Sequence, residues 1–431
     1  MRRMGPGGQP HAGGRPATSG QGFGPFVGRR RPKLSPKTTK KEPRMKILLL
    51  RTFPSVMDPA AYNSQEIGLA RAFVRAGHRC GVLYYSGKEP AHDEQAAVPG
   101  SGQTVTVHWR PGHNFFKNGL FRPAQLKELV AQYDVLQVAE YDQLTSWWLY
   151  RHPPGGRLVT LYHGPYQSGF TKGYNLKCRV FDLLFNRPDK NAGVPCFAKS
   201  RMAEAFLRQK GFAQALPVGV GLDKDTLAAP YDPAARPAAA ARPGFELLYI
   251  GVLEERRNIR FLFEVLAETA RELPDVRLVL VGRGDPAYRD ACFAYAESLG
   301  VRGRIDYRER APQAEVYRLY NHANLLLLPT QYEIFGMVLL EAMYFGLPAL
   351  TSLNGGSDVL MEDGATGLVQ TGFSAGEYAA RILWLAAHPA EQARIGAAAH
   401  AAVEREFLWD SIAQKMLEVY AQQAQQKGLA L

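Results

Sequence analysis

Glu333 and Glu341 are separated by seven residues in Glu333-Ile-Phe-Gly-Met-Val-Leu-Leu-Glu341, and Glu341 is the one charged side chain in the apolar run 337–345. A helix that is apolar on every side is buried, and a carboxylate inside it costs several kcal/mol unless something compensates it. Two kinds of compensation fit: an arginine or backbone donor of the chain itself, or the hydroxyl groups of a ligand. Gly336 opens the predicted helix, and five residues at 1.5 Å each put Glu341 about 7.5 Å beyond its start. An anion at that start meets the free N–H groups of the first turn. A diphosphate there would have a ribose reaching Glu341 on one side and its other substituent near Glu333 on the opposite side. One helix end could thus hold a whole nucleotide sugar.

Three further elements bear on that chemistry. Gly251-Val-Leu-Glu-Glu-Arg256-Arg257 places two arginines in a strand-to-helix loop, where they either clamp a leaving diphosphate bidentately or remain solvated surface. Asn354-Gly-Gly-Ser357 offers backbone N–H groups at a strand end. His163 directly follows the strand pattern 156–161. It is either a satisfied structural residue or a cleft-facing group that contacts the transferred sugar and steadies developing charge. Gly282-Arg-Gly284 lacks the third glycine of a dinucleotide fingerprint. With no acidic DxD-like pair in a comparable loop, no divalent metal is expected, and arginines and the helix dipole take its role.

The elements that must position these residues follow from an alternating pattern. Apolar strands at 46–51, 79–85, 104–109, 134–139, 156–161 and 193–199 are interleaved with helical patterns at 64–76, 123–132, 142–151 and 200–210. The segment 217–243 is rich in proline and alanine without periodicity and reads as a linker. The alternation then restarts, with strands at 245–251, 276–282, 303–308, 324–329 and 347–351 and helices at 258–273, 286–299, 313–322, 336–346 and 355–362. It closes on a helical segment at 405–426. Such runs predict an α/β fold with two doubly wound parallel sheets facing a central cleft, ligands sitting at the carboxyl ends of the strands.

Composition narrows the class. The chain has 431 residues, of which 46% are apolar, enough for two or three domains with packed cores. Four scattered cysteines without a CxxC predict neither a disulfide framework nor a zinc site, and they fit a reducing cytosol. No apolar run reaches the ~18 residues of a membrane span and no secretory h-region follows Met1, so a cytoplasmic location is expected. Of the net charge of +12, ten units lie in residues 1–44, which hold nine glycines and seven prolines; this stretch predicts a disordered basic extension. The remaining body is nearly neutral, so no specific nucleic-acid partner is expected. The stretch His113–Arg122 alternates aromatic and basic residues and reads as a membrane-interface or acceptor contact, or as a buried loop.

Taken together, these residues resemble the retaining glycosyltransferases of family 4 (glycosyltransferase group 1), which have the GT-B fold. The resemblance runs from about Met45 to about Tyr420 and is carried by Glu333-x-Phe335-Gly336-x4-Glu341, continuing through Pro348. Val218-Gly-Val-Gly-Leu, Gly355-Gly356 and Asp363-Gly364 support it. Beyond the basic extension at 1–44, it implies an acceptor domain at 45–217 and a hinge at 218–244. A nucleotide-sugar donor domain at 245–408 and a helix at 409–431 that crosses back onto the first domain complete the plan. It implies that Glu341 binds the ribose, that the amides around Phe335, Gly336, Met337 and Val338 hold the diphosphate, and that Glu333 contacts the donor sugar. Arg257, with Arg256 and Gly251, would form the diphosphate clamp, and His163 the acceptor-side histidine. Val252 stands where the family has its first clamp residue, and Ala60-Ala61 replace paired glycines in the first loop. Tyr62 and Asn63 there become candidates for donor or acceptor contact. The implied activity is retaining, metal-independent transfer of a hexose-type sugar from a nucleotide-diphosphate sugar to a hydroxyl acceptor, such as a sugar or lipid-linked sugar. The setting is cell-surface polysaccharide or glycolipid synthesis, with peripheral contact at the inner face of a membrane. The alternative is a catalytically silent GT-B subunit that binds a glycan or a partner enzyme.

Overall fold

The computed structural model describes residues 45–59, 64–227, 231–233 and 244–430. The basic stretch 1–44, the loop residues Tyr62 and Asn63 and residues 228–230 and 234–243 of the proline-rich linker lie outside them. Two parallel sheets organise what is described. The first half runs β1 (Lys46–Leu50), α1 (Gln65–Arg75), β2 (Arg79–Tyr85), β3 (His92–Ala97), β4 (Thr104–Arg110), β5 (Gly112–Phe115), β6 (Asn118–Phe121) and α2 (Pro123–Val130). It continues through β7 (Val135–Ala139), α3 (Leu144–Arg151), β8 (Leu158–His163), α4 (Lys172–Leu184), α5 (Pro188–Asn191), β9 (Cys196–Ala198), α6 (Arg201–Gln209) and β10 (Ala215–Pro217). Its sheet has the order β10-β9-β8-β7-β1-β2-β4-β3. Strands such as β8 are apolar along their length because both faces are covered, and every residue of β8 is buried.

The second half comprises β11 (Phe245–Ile250), α7 (Ile259–Glu272), β12 (Val276–Val281), α8 (Pro286–Ser298), β13 (Ile305–Arg308), α9 (Gln313–His322) and β14 (Leu325–Leu328). After these come α10 (Met337–Tyr344), β15 (Ala349–Ser352), α11 (Gly355–Leu360), β16 (Leu368–Gln370), α12 (Ala375–Ala387), α13 (Pro389–Ala402) and α14 (Trp409–Gln426). The strand order β13-β12-β11-β14-β15-β16 is that of a doubly wound nucleotide-binding sheet, and its direction reverses between β11 and β14. The loops leaving those two strands carry Arg256–Arg257 and Glu333. In the first half the corresponding switch lies between β1 and β7.

Several features differ from the sequence pattern for identifiable reasons. The edge strand β3 is antiparallel to β4 and almost wholly exposed; its polar residues give no apolar signal. The 113–122 stretch forms the β5–β6 hairpin, exposed at its tip, not a buried loop. Gly282 and Gly284 serve packing: a Cβ on Gly282 would lie 1.8 Å from the Gly251 carbonyl oxygen, and one on Gly284 2.3 Å from that of Leu253. The loops leaving β11 and β12 therefore lie backbone on backbone.

The last helix returns to the first half. Tyr420 on α14 packs against Phe73 and Phe197, at centroid separations of 5.9 and 5.8 Å, and donates to Gln137. Arg75 pairs with Asp410 at 2.8 Å. Gly68 and Gly221 leave room for the Trp409 ring, where a Cβ would come within 2.4 Å of it. This clamps the segment following β10.

Candidate active site

Helix α10 begins after Gly336, whose φ of 78° suits glycine, and runs apolar all round. Glu341 is 8% exposed on that helix. Its Oε2 accepts a 2.7 Å hydrogen bond from the Tyr320 hydroxyl on α9. The compensation thus includes a donor of the chain itself, a neutral phenol. Glu341, Tyr320 and Tyr317 border a cavity of about 290 Å³ together with Ile250 at the end of β11, Ala311 and Gln313. Ala311 lies in the loop that follows β13, and on β13 itself Tyr307 turns its ring onto Phe293 at 4.9 Å.

Glu333 lies on the loop between β14 and α10. Its carboxylate forms an ion pair with Arg257 and accepts from its neighbour's Ile334 N–H at 3.0 Å. Arg257 is therefore paired to the carboxylate that the resemblance places beside the donor sugar. Arg256 is also engaged: it donates to the Tyr332 carbonyl at 2.9 Å and pairs with Glu254 at 2.6 Å. Gly251 joins β11 to this loop and donates to the Val281 carbonyl. Phe335 is buried, and Met337 and Val338 form the first turn of α10, whose N–H groups have no partner within the helix.

The Asn354–Ser357 turn has a structural task. Gly356 and Ser357 donate to the Asn354 side chain, and Gly355 donates to the Glu333 carbonyl at 3.1 Å. A Cβ on Gly356 would lie 1.8 Å from the Phe335 carbonyl oxygen. The Gly355 N–H thus braces the Glu333 loop, and those of Gly356 and Ser357 are taken up by the Asn354 cap.

His163 is the last residue of β8 rather than the residue after it, and it is fully enclosed. The expectation of a cleft-facing histidine is corrected: the strand extends two residues further than its apolar run, which carries the ring under the surface. Its Nδ1 meets the Glu140 carboxylate, its face stacks on Phe206 at 5.4 Å, and Tyr141 lies edge-on at 5.5 Å. Glu140 directly follows β7, with a left-handed φ of 59°, and also accepts from the Gly164 N–H at 3.1 Å. Burial alone would raise its pKa; the opposing charge and hydrogen bond of His163, with Lys199 and the Gly164 N–H, outweigh burial and hold the carboxyl below its ordinary value. Glu140, Asp142 and His163 offer ligand atoms within 4.8 Å of one another, but Lys177 holds Asp142 at 2.8 Å, so the group is neutralised from within.

Two residues absent from the sequence reading join the halves. The Tyr166 hydroxyl donates to the Glu333 carbonyl at 2.9 Å and accepts from the Gly355 N–H at 3.2 Å. Tyr332 packs on Tyr166 with centroids 4.7 Å apart, and its hydroxyl reaches the Tyr166 carbonyl at 3.3 Å. Burial pushes the Tyr166 phenol up to about 12, so it stays a donor at neutral pH. Partners 166 residues apart leave no local pattern. Glu140 did have a signal, since a carboxylate immediately after an apolar strand lies at the carboxyl edge of the sheet.

Comparison with known proteins decides the family. The family described as "Glycosyl transferases group 1" matches residues 236–402, and "Glycosyltransferase Family 4" matches residues 67–213. The chain belongs to the group 1, family 4 glycosyltransferases. Curated relatives include a D-inositol 3-phosphate glycosyltransferase of Xylanimonas cellulosilytica, 32% identical over 48% of this chain and 50% of that protein. Another, from Segniliparus rotundus, is 29% identical over 44% of each chain. The chain thus aligns with about half the length of these relatives. Among solved structures, sucrose-phosphate synthase from Thermosynechococcus elongatus superposes with a TM-score of 0.66 over 88% of this chain and 99% of that one, at 21% identity. Anabaena Alr3699/HepE, solved in complex with UDP-glucose, gives 0.63 over 88% and 100%, at 18% identity. The fold of this glycosyltransferase is GT-B.

Proposed function

We propose that this family member transfers a hexose-type sugar, with retention, from a nucleotide-diphosphate sugar to a hydroxyl acceptor in polysaccharide or glycolipid synthesis. The observation that carries the reading is Glu341, a carboxylate on an apolar helix bordering a cavity at the carboxyl edge of the second sheet. A ribose there gives its hydroxyls to the Glu341 carboxylate, while Tyr320 keeps that carboxylate oriented. The diphosphate meets the first-turn N–H groups of α10, where backbone donors and the dipole favour an anion. That HepE was solved with UDP-glucose supports a nucleotide sugar as donor.

In this reading the Arg257–Glu333 pair is the resting arrangement. An incoming diphosphate takes over Arg257 and frees Glu333 to accept from a sugar hydroxyl. Arg257, Arg256 and the helix start then stabilise the charge on the departing diphosphate, a task that elsewhere falls to a divalent metal. The acceptor hydroxyl attacks from the face the leaving group vacates. His163 lies behind the surface next to Gly164, so its part is to shape that wall through Glu140 rather than to touch the sugar in this closed arrangement.

The test is sugar transfer and hydrolysis with a panel of UDP-, GDP- and ADP-sugars, comparing wild type with Glu333→Ala and Arg257→Ala. Turnover with at least one donor, falling by roughly a hundredfold or more in both variants, is expected for groups acting on developing charge. Equal turnover in all three proteins overturns the assigned roles.

A further inference from the structure

A second cavity, of about 500 Å³, lies in the first half between α2 and α3. It shares no lining residue with the cavity at Glu341. Ala131, Pro154, Gly155 and Arg157 in its wall belong to the turns that enter β7 and β8, at the amino edge of the first sheet. Glu140 and His163 lie at the carboxyl edge of that sheet, so the cavity is a place of its own in the fold. The chain itself holds the walls in shape. Arg157 donates to the Val130 carbonyl at 3.1 Å and the Ala131 carbonyl at 2.6 Å, which ties the end of α2 to the entrance of β8. The Thr145 hydroxyl donates to the Gly119 carbonyl at 2.8 Å, which ties the start of α3 to β6. Phe121 stands edge-on to Tyr85 at 6.3 Å.

The lining sets which chemistry fits. Phe121, Leu126, Val130 and Trp148 give an apolar surface, and the Trp148 indole is 49% exposed. No Asp, Glu, Asn or Gln side chain lines the cavity, and the Thr145 hydroxyl is already spent on Gly119. Sugar hydroxyls need acceptors as well as donors and find few here. The charges that border the cavity are positive. Lys127 is exposed and has no ion-pair partner among the described residues. Arg157 covers the last carbonyls of α2, so the negative end of that helix is neutralised rather than turned to the cavity. The exposed His152 borders it too, its ring 6.0 Å from that of Trp148.

We infer that this cavity binds a small apolar acid, with an aromatic or short acyl body against Trp148 and Leu126 and its anionic group toward Lys127. The volume falls within the roughly 300–1,000 Å³ of preformed small-molecule sites, which are apolar with a few polar groups that fix the ligand's orientation. Covering Trp148 and its neighbours removes apolar surface from water. Lys127 and Arg157 have no carboxylate facing them from the cavity lining, so they favour a negative head over a neutral or positive one. A protruding apolar side chain of a partner protein would also fill the space, but it would leave those cations unmatched. The site stands on α2, α3 and the turn before β8, and it is independent of the proposed sugar transfer.

The test titrates the full chain with anilinonaphthalene sulfonate and, separately, with its uncharged parent phenylnaphthylamine, both followed by fluorescence. Wild type is compared with Trp148→Ala, with Lys127→Glu and with Leu183→Ser, an exposed leucine on α4 outside the cavity. The expected result is one saturable sulfonate site per chain, weakened about tenfold or more by Trp148→Ala and by Lys127→Glu and unchanged by Leu183→Ser. Phenylnaphthylamine binding is expected to stay at the wild-type level in Lys127→Glu. Equal sulfonate affinity in wild type and both cavity variants overturns the inference. So does a Lys127→Glu effect of the same size on both dyes, the mark of a plain apolar groove. Decanoate and naphthoate serve as competitors: displacement of the sulfonate by either supports the site and names the body it takes, and displacement by neither overturns it. A parallel series with saturating UDP keeps the site apart from the donor cavity, since loss of the dye to the nucleotide also overturns the inference. Thermal melts within about 2 °C of wild type show that the exposed substitutions leave the fold intact.

Discussion

Glu140 in the first half and Glu341 in the second are buried carboxylates at the carboxyl edges of their sheets, and the two are compensated differently. Glu140 in the first half is closed in by His163, Gly164 and Lys199. Glu341 in the second half accepts from a tyrosine and borders a cavity. A carboxylate enclosed by a histidine ring, a lysine and a backbone N–H is a fixed part of the wall. One matched by a neutral hydroxyl and facing open volume keeps acceptor capacity for a ligand. On the proposed function, the first corner serves stability and the second binding, and substitutions at each should separate along that line.

The largest expected effect is at the closed corner. Glu140→Ala removes a buried carboxylate held by His163 and the Gly164 N–H, and should lower stability by about 3–5 kcal/mol, several degrees in a thermal melt. A melt within 1–2 °C of wild type would break the comparison. The pH dependence has the same origin. Because the folded pKa of Glu140 lies below its ordinary value near 4.5, its stabilisation is complete above that value and is lost as pH falls through the lower folded one. Glu140→Gln should therefore show a shallower acid limb than wild type in melts from pH 6 to pH 3.

Between the corners lies the tyrosine seam. Tyr166→Phe removes a donor to the Glu333 carbonyl and an acceptor for Gly355, at a cost of about 1–2 kcal/mol, measured by denaturant unfolding. The smallest effect is that of the tyrosine at the open corner. Tyr320→Phe deletes one hydrogen bond to Glu341 and should weaken nucleotide binding several-fold, about 1 kcal/mol, while moving the melting temperature little. A drop in stability as large as that of Glu140→Ala would place Glu341 in the same structural class as Glu140.

The two corners were unequally legible in the sequence. Helix α10 stood out because an unbroken apolar run leaves its one carboxylate unexplained, and the β11–β16 alternation gave a doubly wound sheet directly. Glu140 was passed over because Glu140-Tyr-Asp142 after a strand looks like any polar loop, and its partner His163 is twenty-three residues away on the next strand. His163 itself was placed at the surface because the apolar run of β8 stops before the strand does. The Asn354–Ser357 turn shows its N–H groups in the sequence but not their partners: in the folded chain Gly355 donates to the Glu333 carbonyl, and Gly356 and Ser357 donate to the Asn354 side chain. Tyr166 and Tyr332 were invisible for a simpler reason: contacts between the halves depend on packing that no spacing encodes.

The central claim, that Glu341 holds the ribose of a nucleotide diphosphate, is tested most directly by calorimetric titration of UDP, GDP, ADP and CDP into wild type and Glu341→Gln. The amide keeps the shape and the hydrogen-bonding reach of the side chain but loses the charge and one acceptor. The account predicts that at least one nucleotide binds wild type and binds Glu341→Gln about 100-fold more weakly, a loss of about 2.7 kcal/mol. Equal affinity in the two proteins, or no binding by any of the four to wild type, would contradict it.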